Sequence, residues 1–141
     1  MTHATERDDD EREIDGLTTA FFNLFALDEG GRVDLDVIHD LFIPDGVIVK
    51  ACAGAMEVYD VSAFVAPRVT LLNSGEFASF HEQEVSGQTD IFQNIAQRFS
   101  RYRKWGERAG IAFENYGTKS IQFVKTPGGW KISALVWDDD P

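Results

Sequence analysis

The sequence is poor in the residues that redox, membrane and nucleic-acid functions require. Cys52 is the only cysteine, so no disulfide forms within the chain, and Lys50 is the only nearby cation that could hold its thiolate. We therefore interpret Cys52 as a small, half-buried residue. No run approaches the roughly 18 apolar residues that a membrane-spanning helix needs. With 13 Lys and Arg against 24 Asp and Glu, the formal charge is −11, which disfavours binding to a phosphate backbone.

The two ends of the chain carry much of this acidity, with five acids between Asp8 and Glu13 and three from Asp138 to Asp140. We interpret residues 1–10 as a flexible acidic tail and residues 138–141 as a second one, which leaves residues 11–137 as a single domain. The N-terminus lacks the basic start and apolar centre of a signal peptide, so we expect a cytoplasmic protein.

The length and the apolar content are those of one self-sufficient domain. The chain has 141 residues and is 43% hydrophobic, with 11 Phe and 3 Trp. It can therefore bury a sizeable core and fold without disulfides or structural metal ions. An apolar stripe predicts a first helix from about Glu11 to Ala26. Leu35 to Phe42 predicts a shorter second helix after Asp34, ended by a turn at residues 44–46. Asp60 predicts the N-cap of a third helix, in which Pro67 indicates a kink or a late start.

The second half of the sequence has the alternation of β-strands. We expect strands at residues 77–86, 91–105, 118–125 and 129–136, with turns at residues 87–88 and 126–129. Both faces of the resulting sheet carry apolar groups, so one face packs on the helices and the other needs a second cover. The order predicts an α+β fold, in which a curled, cone-shaped antiparallel or mixed sheet carries three N-terminal helices on its concave face. We expect a homodimer through the outer face.

Two motifs carry a resemblance that covers the chain from about Glu11 to Trp137. They are Leu41-Phe42-Ile43-Pro44-Asp45-Gly46-Val47 at the end of the second helix, and Gly129-Trp130-Lys131-Ile132 through Leu135-Val136-Trp137 in the last strand. The order of elements with these motifs resembles the nuclear transport factor 2-like superfamily, in particular SnoaL-like and uncharacterised bacterial members. The resemblance implies the cone-shaped fold. It does not choose among isomerases, cyclases, dehydratases and binding domains.

The resemblance also locates the acids of ketosteroid isomerases. The general base of those enzymes corresponds to Lys50, which is normally protonated and cannot act as the same base. Their second acid corresponds to the neighbourhood of Gln122, which holds no carboxylate. Steroid-isomerase chemistry is therefore disfavoured.

The densest titratable cluster lies in the first long strand. Alternation places His81 on one face and Glu82 with Glu84 on the other, where the two carboxylates could act as an acid–base pair beside Arg98 and Tyr102. The alternative is a strand face turned to solvent. No second His stands at ligand spacing, so we expect no metal site and no cofactor.

Two functional hypotheses follow. The first is a domain that binds a small apolar or aromatic molecule in its cone, and not nucleic acid or membrane; its predicted ligand-binding residues are Phe21, Phe25, Tyr59, Phe64, Arg98 and Tyr116. The second is a cofactor-free isomerase, dehydratase or polyketide-cyclase-like enzyme; its predicted catalytic residues are Glu82, Glu84 and Tyr102.

Overall fold

A computed structural model describes the backbone of residues 3–141 and the side chains of residues 5–141. These described residues form three α-helices and six β-strands, with a short 3-10 turn at Cys52–Gly54. In chain order the elements are α1 (His3–Asn23), α2 (Ile38–Leu41), β1 (Phe42–Lys50), β2 (Glu57–Asp60), α3 (Val61–Leu72), β3 (Phe77–Phe92), β4 (Ile95–Arg108), β5 (Ile111–Thr126) and β6 (Gly129–Asp139).

The strands form one open, mixed sheet in the order β2-β1-β6-β5-β4-β3. All neighbours are antiparallel except β1 and β6, which run parallel. The helices pack on one face of this sheet. This architecture confirms the predicted α+β class with three helices on a mixed sheet.

Strand alternation decides what reaches the core. Along β4, Ala96, Arg98, Ser100 and Tyr102 are buried, while Ile95 and Phe99 are exposed on the outer face. The matching inward positions of β5 and β6 place large apolar side chains under the apolar faces of α1, α2 and α3. The buried set contributed by the two strands is Ile121, Phe123, Trp130, Ile132 and Leu135.

The first helix begins at His3 rather than near Glu11, so residues 3–10 are helical and not a separate tail. Its acidic residues have partners on the last hairpin. Asp10 accepts hydrogen bonds from the Trp130 indole and from Lys125, both at 2.9 Å. Glu13 accepts the Trp130 backbone N–H at 2.6 Å. A local charge count cannot show such partners. Met1 and Thr2 lie outside the described residues.

The predicted acidic tail at residues 138–141 is also corrected, because β6 continues through Asp139. Asp139 accepts hydrogen bonds from Tyr102 and from Lys104, the latter at 2.9 Å. Asp140 pairs with Arg101 on the outer face. Bases on β4 therefore hold the acids of the C-terminus within the fold.

Two of the expected turns are absent from the structure. The strand β3 passes through residues 87–88, and the chain turns at residues 93–94, where Gln93 has a φ of 53°. Gly87 lies in the strand, where an added Cβ would be 2.6 Å from Arg98 Nη2. Residues 44–46 lie within β1, with an irregular register against β6 in place of a turn.

The helices before and after β1 also refine the expectation. The second helix is a single turn from Ile38 because Asp34 instead accepts the Asp36 N–H at 2.9 Å. Asp60 caps α3 as predicted, accepting the Ala63 N–H at 2.7 Å. The helix starts directly after this cap, so Pro67 does not delay it.

None of the helices within residues 3–141 has both the length and the apolar character needed to cross a bilayer. The cytoplasmic location stays a prediction.

Candidate functional site

A cavity of about 280 Å³ lies between the concave face of the sheet and helices α1 and α3. Its lining divides into an apolar set and a charged set. The apolar set with Tyr102 is Phe21, Phe25, Phe64, Leu71, Leu72, Phe77, Phe80, Tyr102 and Trp137; the charged set is Lys50, Arg68, Glu82, Lys104, Arg108, Lys119 and Asp139.

Edge-to-face aromatic contacts form the apolar wall. The ring centroids of Phe21 and Phe25 are 5.3 Å apart, and Phe64 lies 6.1 Å from Phe25 and 5.9 Å from Trp137. Such pairs favour this geometry because a ring edge is positive and a ring face is negative. The wall therefore offers a pre-formed surface for a flat apolar group.

A buried ion pair stands inside the cavity. Lys119 Nζ lies 3.1 Å from Glu82 Oε1, and the two side chains are only 5% and 10% exposed. The Nζ atom also lies 4.2 Å from the centroid of the Tyr102 ring, which is a cation–π contact. Strand alternation places both residues here, because Lys119 is in phase with Ile121 on β5 and Glu82 faces inward on β3.

A second charged group surrounds Asp139 at the end of β6. Burial acts to raise the pKa of Asp139, but hydrogen bonds from Tyr102 and Lys104 outweigh it and hold the pKa below its ordinary value. Burial, followed by the hydrogen bond to Asp139, raises the pKa of the Tyr102 hydroxyl strongly. Burial likewise raises the pKa of the Cys52 thiol, whose Sγ lies 3.5 Å from Asp139 Oδ2. At neutral pH, Asp139 is therefore an anion, and Tyr102 and Cys52 are neutral donors.

Two cations in the lining, Arg68 and Lys50, form no ion pair with the described carboxylates, although Glu57 is the β2 partner of Lys50. Arg68 Cζ lies 3.9 Å from the Phe64 centroid and 5.5 Å from that of Trp137, and its Nη1 donates to the Phe64 carbonyl at 3.0 Å. Lys50 is the β1 partner of Trp137 in the parallel pairing. Among residues 5–141, no ion pair joins either side chain to a carboxylate.

Glu84 and Arg98 face inward but do not line this cavity. Arg98 Nε and Nη2 donate to the two Glu84 oxygens at 2.9 and 2.6 Å, and Nη1 donates to Asp15 at 2.8 Å. Ser100 donates to Glu84 at 2.6 Å. This network joins α1 to β3 and β4, so the geometry gives both residues a structural role. Their predicted catalytic and ligand-binding roles have no support from their position.

Of the nine predicted site residues, five line the cavity. They are Phe21, Phe25, Phe64, Glu82 and Tyr102. Tyr59 does not line the cavity, and its ring centroid lies 6.1 Å from that of Phe64. Tyr116 lies on the outer face beside Arg101. Gln122, considered above as a donor, is also exposed on the outer face.

The sequence interpretation missed most of the charged lining. Lys50 does face the cavity at the position where the resemblance places a base. Lys119 had a usable signal, since it shares the inward phase of Ile121 and Phe123. Asp139 had no such signal, because three successive acidic residues at a chain end are typical of a solvent-exposed segment. Within the described part of the chain, no three His, Cys, Asp or Glu side chains are grouped to hold a metal ion.

Comparisons of sequence find no relative: no family model and no curated protein matches the chain. Comparisons of structure do. A nuclear transport factor 2-like superfamily protein from Salmonella enterica superposes with a TM-score of 0.77 at 15% identity, over 96% of this chain and 94% of its own. A Kribbella flavida protein gives 0.75 at 16% identity, over 96% and 93%. A candidate dehydratase of the same family from Streptomyces avermitilis gives 0.73 at 14% identity, over 96% and 99%. The chain thus has the nuclear transport factor 2-like fold that the two sequence motifs predicted.

Proposed function

We propose that this chain is a SnoaL-like domain that binds a small molecule with a flat apolar body in its cone cavity. The observation that carries the proposal is the aromatic wall of Phe21, Phe25, Phe64 and Trp137 around about 280 Å³ of space. That volume approaches the lower end of ordinary ligand sites, which are mostly apolar with a few placed polar groups.

Nile red, a neutral solvatochromic dye, tests the proposal through its fluorescence on binding. Leu71 lies at the rim of the cavity and is part-exposed, so Leu71→Trp is expected to block entry and lower the binding constant at least about tenfold without disturbing the core. Val37→Trp, at an exposed position away from the cavity, is the matched control. Equal binding by both variants and the native chain would contradict a ligand in the cone.

We also propose that the protein is a homodimer through the outer face of the sheet. Two rows of residues in register across β4, β5, β6 and β1 carry no charge, in a chain whose formal charge is −11. The rows are Phe99, Ser120, Val136 and Val49, and Gln97, Gln122, Ala134 and Val47. Phe99 is 65% exposed, and such a patch favours association.

Sedimentation at micromolar concentration tests the dimer. Phe99→Lys is expected to give a monomer, because it places two like charges in the proposed interface, whereas Val37→Lys is expected to sediment like the native chain. A native chain that sediments as a monomer would refute the proposal.

A cofactor-free isomerase, dehydratase or polyketide-cyclase-like enzyme is the second candidate, favoured by one observation. Glu82 is a carboxylate within hydrogen-bond reach of a donor, Lys119, inside the cavity. Deuterium incorporation next to the carbonyl of small ketones in D₂O, followed by NMR, tests it. Glu82→Gln should abolish incorporation and Glu114→Gln, on the outer face, should leave it unchanged. Incorporation at the buffer rate by the native chain removes this candidate.

A further inference from the structure

The charge inside the cavity is opposite to that of the chain. Five bases and two acids line the cavity, although the whole sequence carries 24 acids and 13 bases. The two acids are each held by one of these bases: Asp139 by Lys104 at 2.9 Å, and Glu82 by Lys119 at 3.1 Å. Arg108 pairs with Glu76 outside the cavity. The positive charge left in the lining belongs to Lys50 and Arg68. One acid outside the lining, Glu57, is the β2 partner of Lys50 and accepts a hydrogen bond from Tyr59, so it offsets only part of this charge.

These two side chains lie at the same wall. Lys50 is the cross-strand partner of Trp137, and Arg68 lies over the same indole, with its Cζ 5.5 Å from the ring centroid. The Phe64 carbonyl, the Phe64 ring and the Tyr59 side chain also hold the guanidinium. A guanidinium fixed in this way loses little side-chain entropy when it binds a planar anion through its remaining N–H groups.

We infer that the cavity takes an organic anion, in particular an aromatic or alicyclic carboxylate, whose negative group lies between Arg68 and Lys50 and whose body packs on the aromatic wall. This inference rests on the proposed binding function and replaces a neutral apolar ligand by a charged one. A neutral ligand would cover two cations without pairing them, which costs free energy in a partly desolvated site. A carboxylate pairs with both.

Isothermal titration with 2-naphthoate and its neutral isostere 2-naphthamide tests the inference. The two probes share shape and apolar area, so their affinity ratio reports the charge alone. The native chain is expected to bind the acid at least about tenfold more tightly, as charge-assisted hydrogen bonds predict. The ratio is expected to fall as salt rises, because part of the attraction is screened.

Substitutions in the cavity wall test which residues cause the preference for the acid over the amide. Arg68→Gln is expected to reduce the ratio to within about threefold of unity, and Arg68→Lys is expected to keep part of it. Arg32→Gln removes the same charge from an exposed loop position and is expected to keep the native ratio. Since Arg68 also packs on aromatic rings, melting curves accompany each variant. Lys50→Met is a second variant that tests the same wall without altering the packing of Arg68.

The outcomes separate the two levels of the proposal. Equal affinity for acid and amide overturns the anion inference and leaves small-molecule binding intact. A preference for the acid that survives both Arg68→Gln and Lys50→Met also overturns it, because the charge is then read elsewhere. If neither probe binds at millimolar concentration while Nile red still enters the cavity, the anion inference fails alone. If no probe binds, both proposals fail.

Discussion

The Arg98 network provides the sharpest test of the fold, because one guanidinium connects three elements. We expect Arg98→Met to destabilise the protein by about 3 kcal/mol, since removing one partner of a buried ion pair costs about 3–5 kcal/mol. The lower end applies because the side chains of Glu84 and Asp15 are 23% and 53% exposed, whereas that of Arg98 is only 10% exposed. Met keeps the apolar stem, so the loss measures the charge rather than a cavity.

A double-mutant cycle separates the ion pair from the packing. Adding Glu84→Met to Arg98→Met removes the orphaned buried charge, so the double variant should recover part of the loss, with a coupling of about 1–2 kcal/mol. Urea unfolding followed by tryptophan fluorescence measures each variant. A loss below about 1 kcal/mol for Arg98→Met, or strictly additive losses, would refute the structural role of the pair.

Acid titration gives the same pair a second readout. Burial acts to raise the pKa of Glu84, but the hydrogen bonds from Arg98 and Ser100 outweigh it, so the folded-state pKa lies below the ordinary value. A depressed carboxyl pKa stabilises the folded state above the unfolded pKa of about 4.3, and the stabilisation is lost as pH falls through the folded value. The stability advantage of the native chain over Glu84→Gln should therefore be full at pH 7 and should shrink below about pH 4. An advantage that stays constant down to pH 3 would contradict the paired carboxylate.

Three further substitutions test local features by urea unfolding. Asp60→Ala removes the N-cap of α3 and should cost about 1 kcal/mol, with Asp60→Asn nearly neutral; equal losses would show that the cap contributes nothing. Gly117→Ala should cost more than about 2 kcal/mol, because the added methyl group meets the Tyr102 side chain and the Asp138 backbone carbonyl; a loss below about 1 kcal/mol would contradict this close approach. Asp10→Ala removes the acceptor of the Trp130 indole and should cost about 1–2 kcal/mol. If Asp10→Ala has native stability, the N-terminal turns of α1 do not stabilise the fold.

Periodicity was sufficient to predict the α+β class because burial repeats with the geometry of each element. The spacing of Ile14, Phe21 and Phe25 placed α1 on the sheet, and alternation along β4 separated Arg98 and Tyr102 from the outer face. Both patterns are local. A prediction from them needs no knowledge of which strand lies beside which.

The position of the first long turn could not be predicted in the same way. Gly87 is a turn signal in isolation, but in the structure it is the residue without a side chain that gives Arg98 room. The real turn uses Gln93, a residue that enters the left-handed region less readily than glycine does. The choice between the two depends on a contact across strands, which no window of sequence contains.

The charged half of the candidate site was beyond local prediction for a related reason. Lys50, Arg68, Lys104 and Lys119 come from β1, α3, β4 and β5, so no single stretch of sequence brings them together. Only Lys119 carried a local signal, the inward phase that it shares with Ile121. Asp139 belongs to an acidic end of the chain and still lies at the cavity, because Tyr102 and Lys104 hold it there.

The same contacts explain why an acidic chain has a basic cavity. Asp139 and Glu82 are each already paired with a lysine inside the cavity, so neither has a free charge to repel an anion. Most of the remaining acids lie outside, where water screens them over about one Debye length of 8–10 Å. The field at Lys50 and Arg68 is therefore set mainly by the nearby side chains, and these have a net positive charge. The net negative charge of the whole molecule would repel an approaching aromatic carboxylate, whereas the positive side chains around the cavity would attract it once it is inside.

The association rate of an aromatic carboxylate should thus rise with salt as the long-range repulsion is screened. Its dissociation rate should also rise, because salt weakens the short-range ion pairs. Stopped-flow measurement of 2-naphthoate binding at two ionic strengths resolves the two rates, and an association rate that falls with salt would show that the outer acids do not oppose entry.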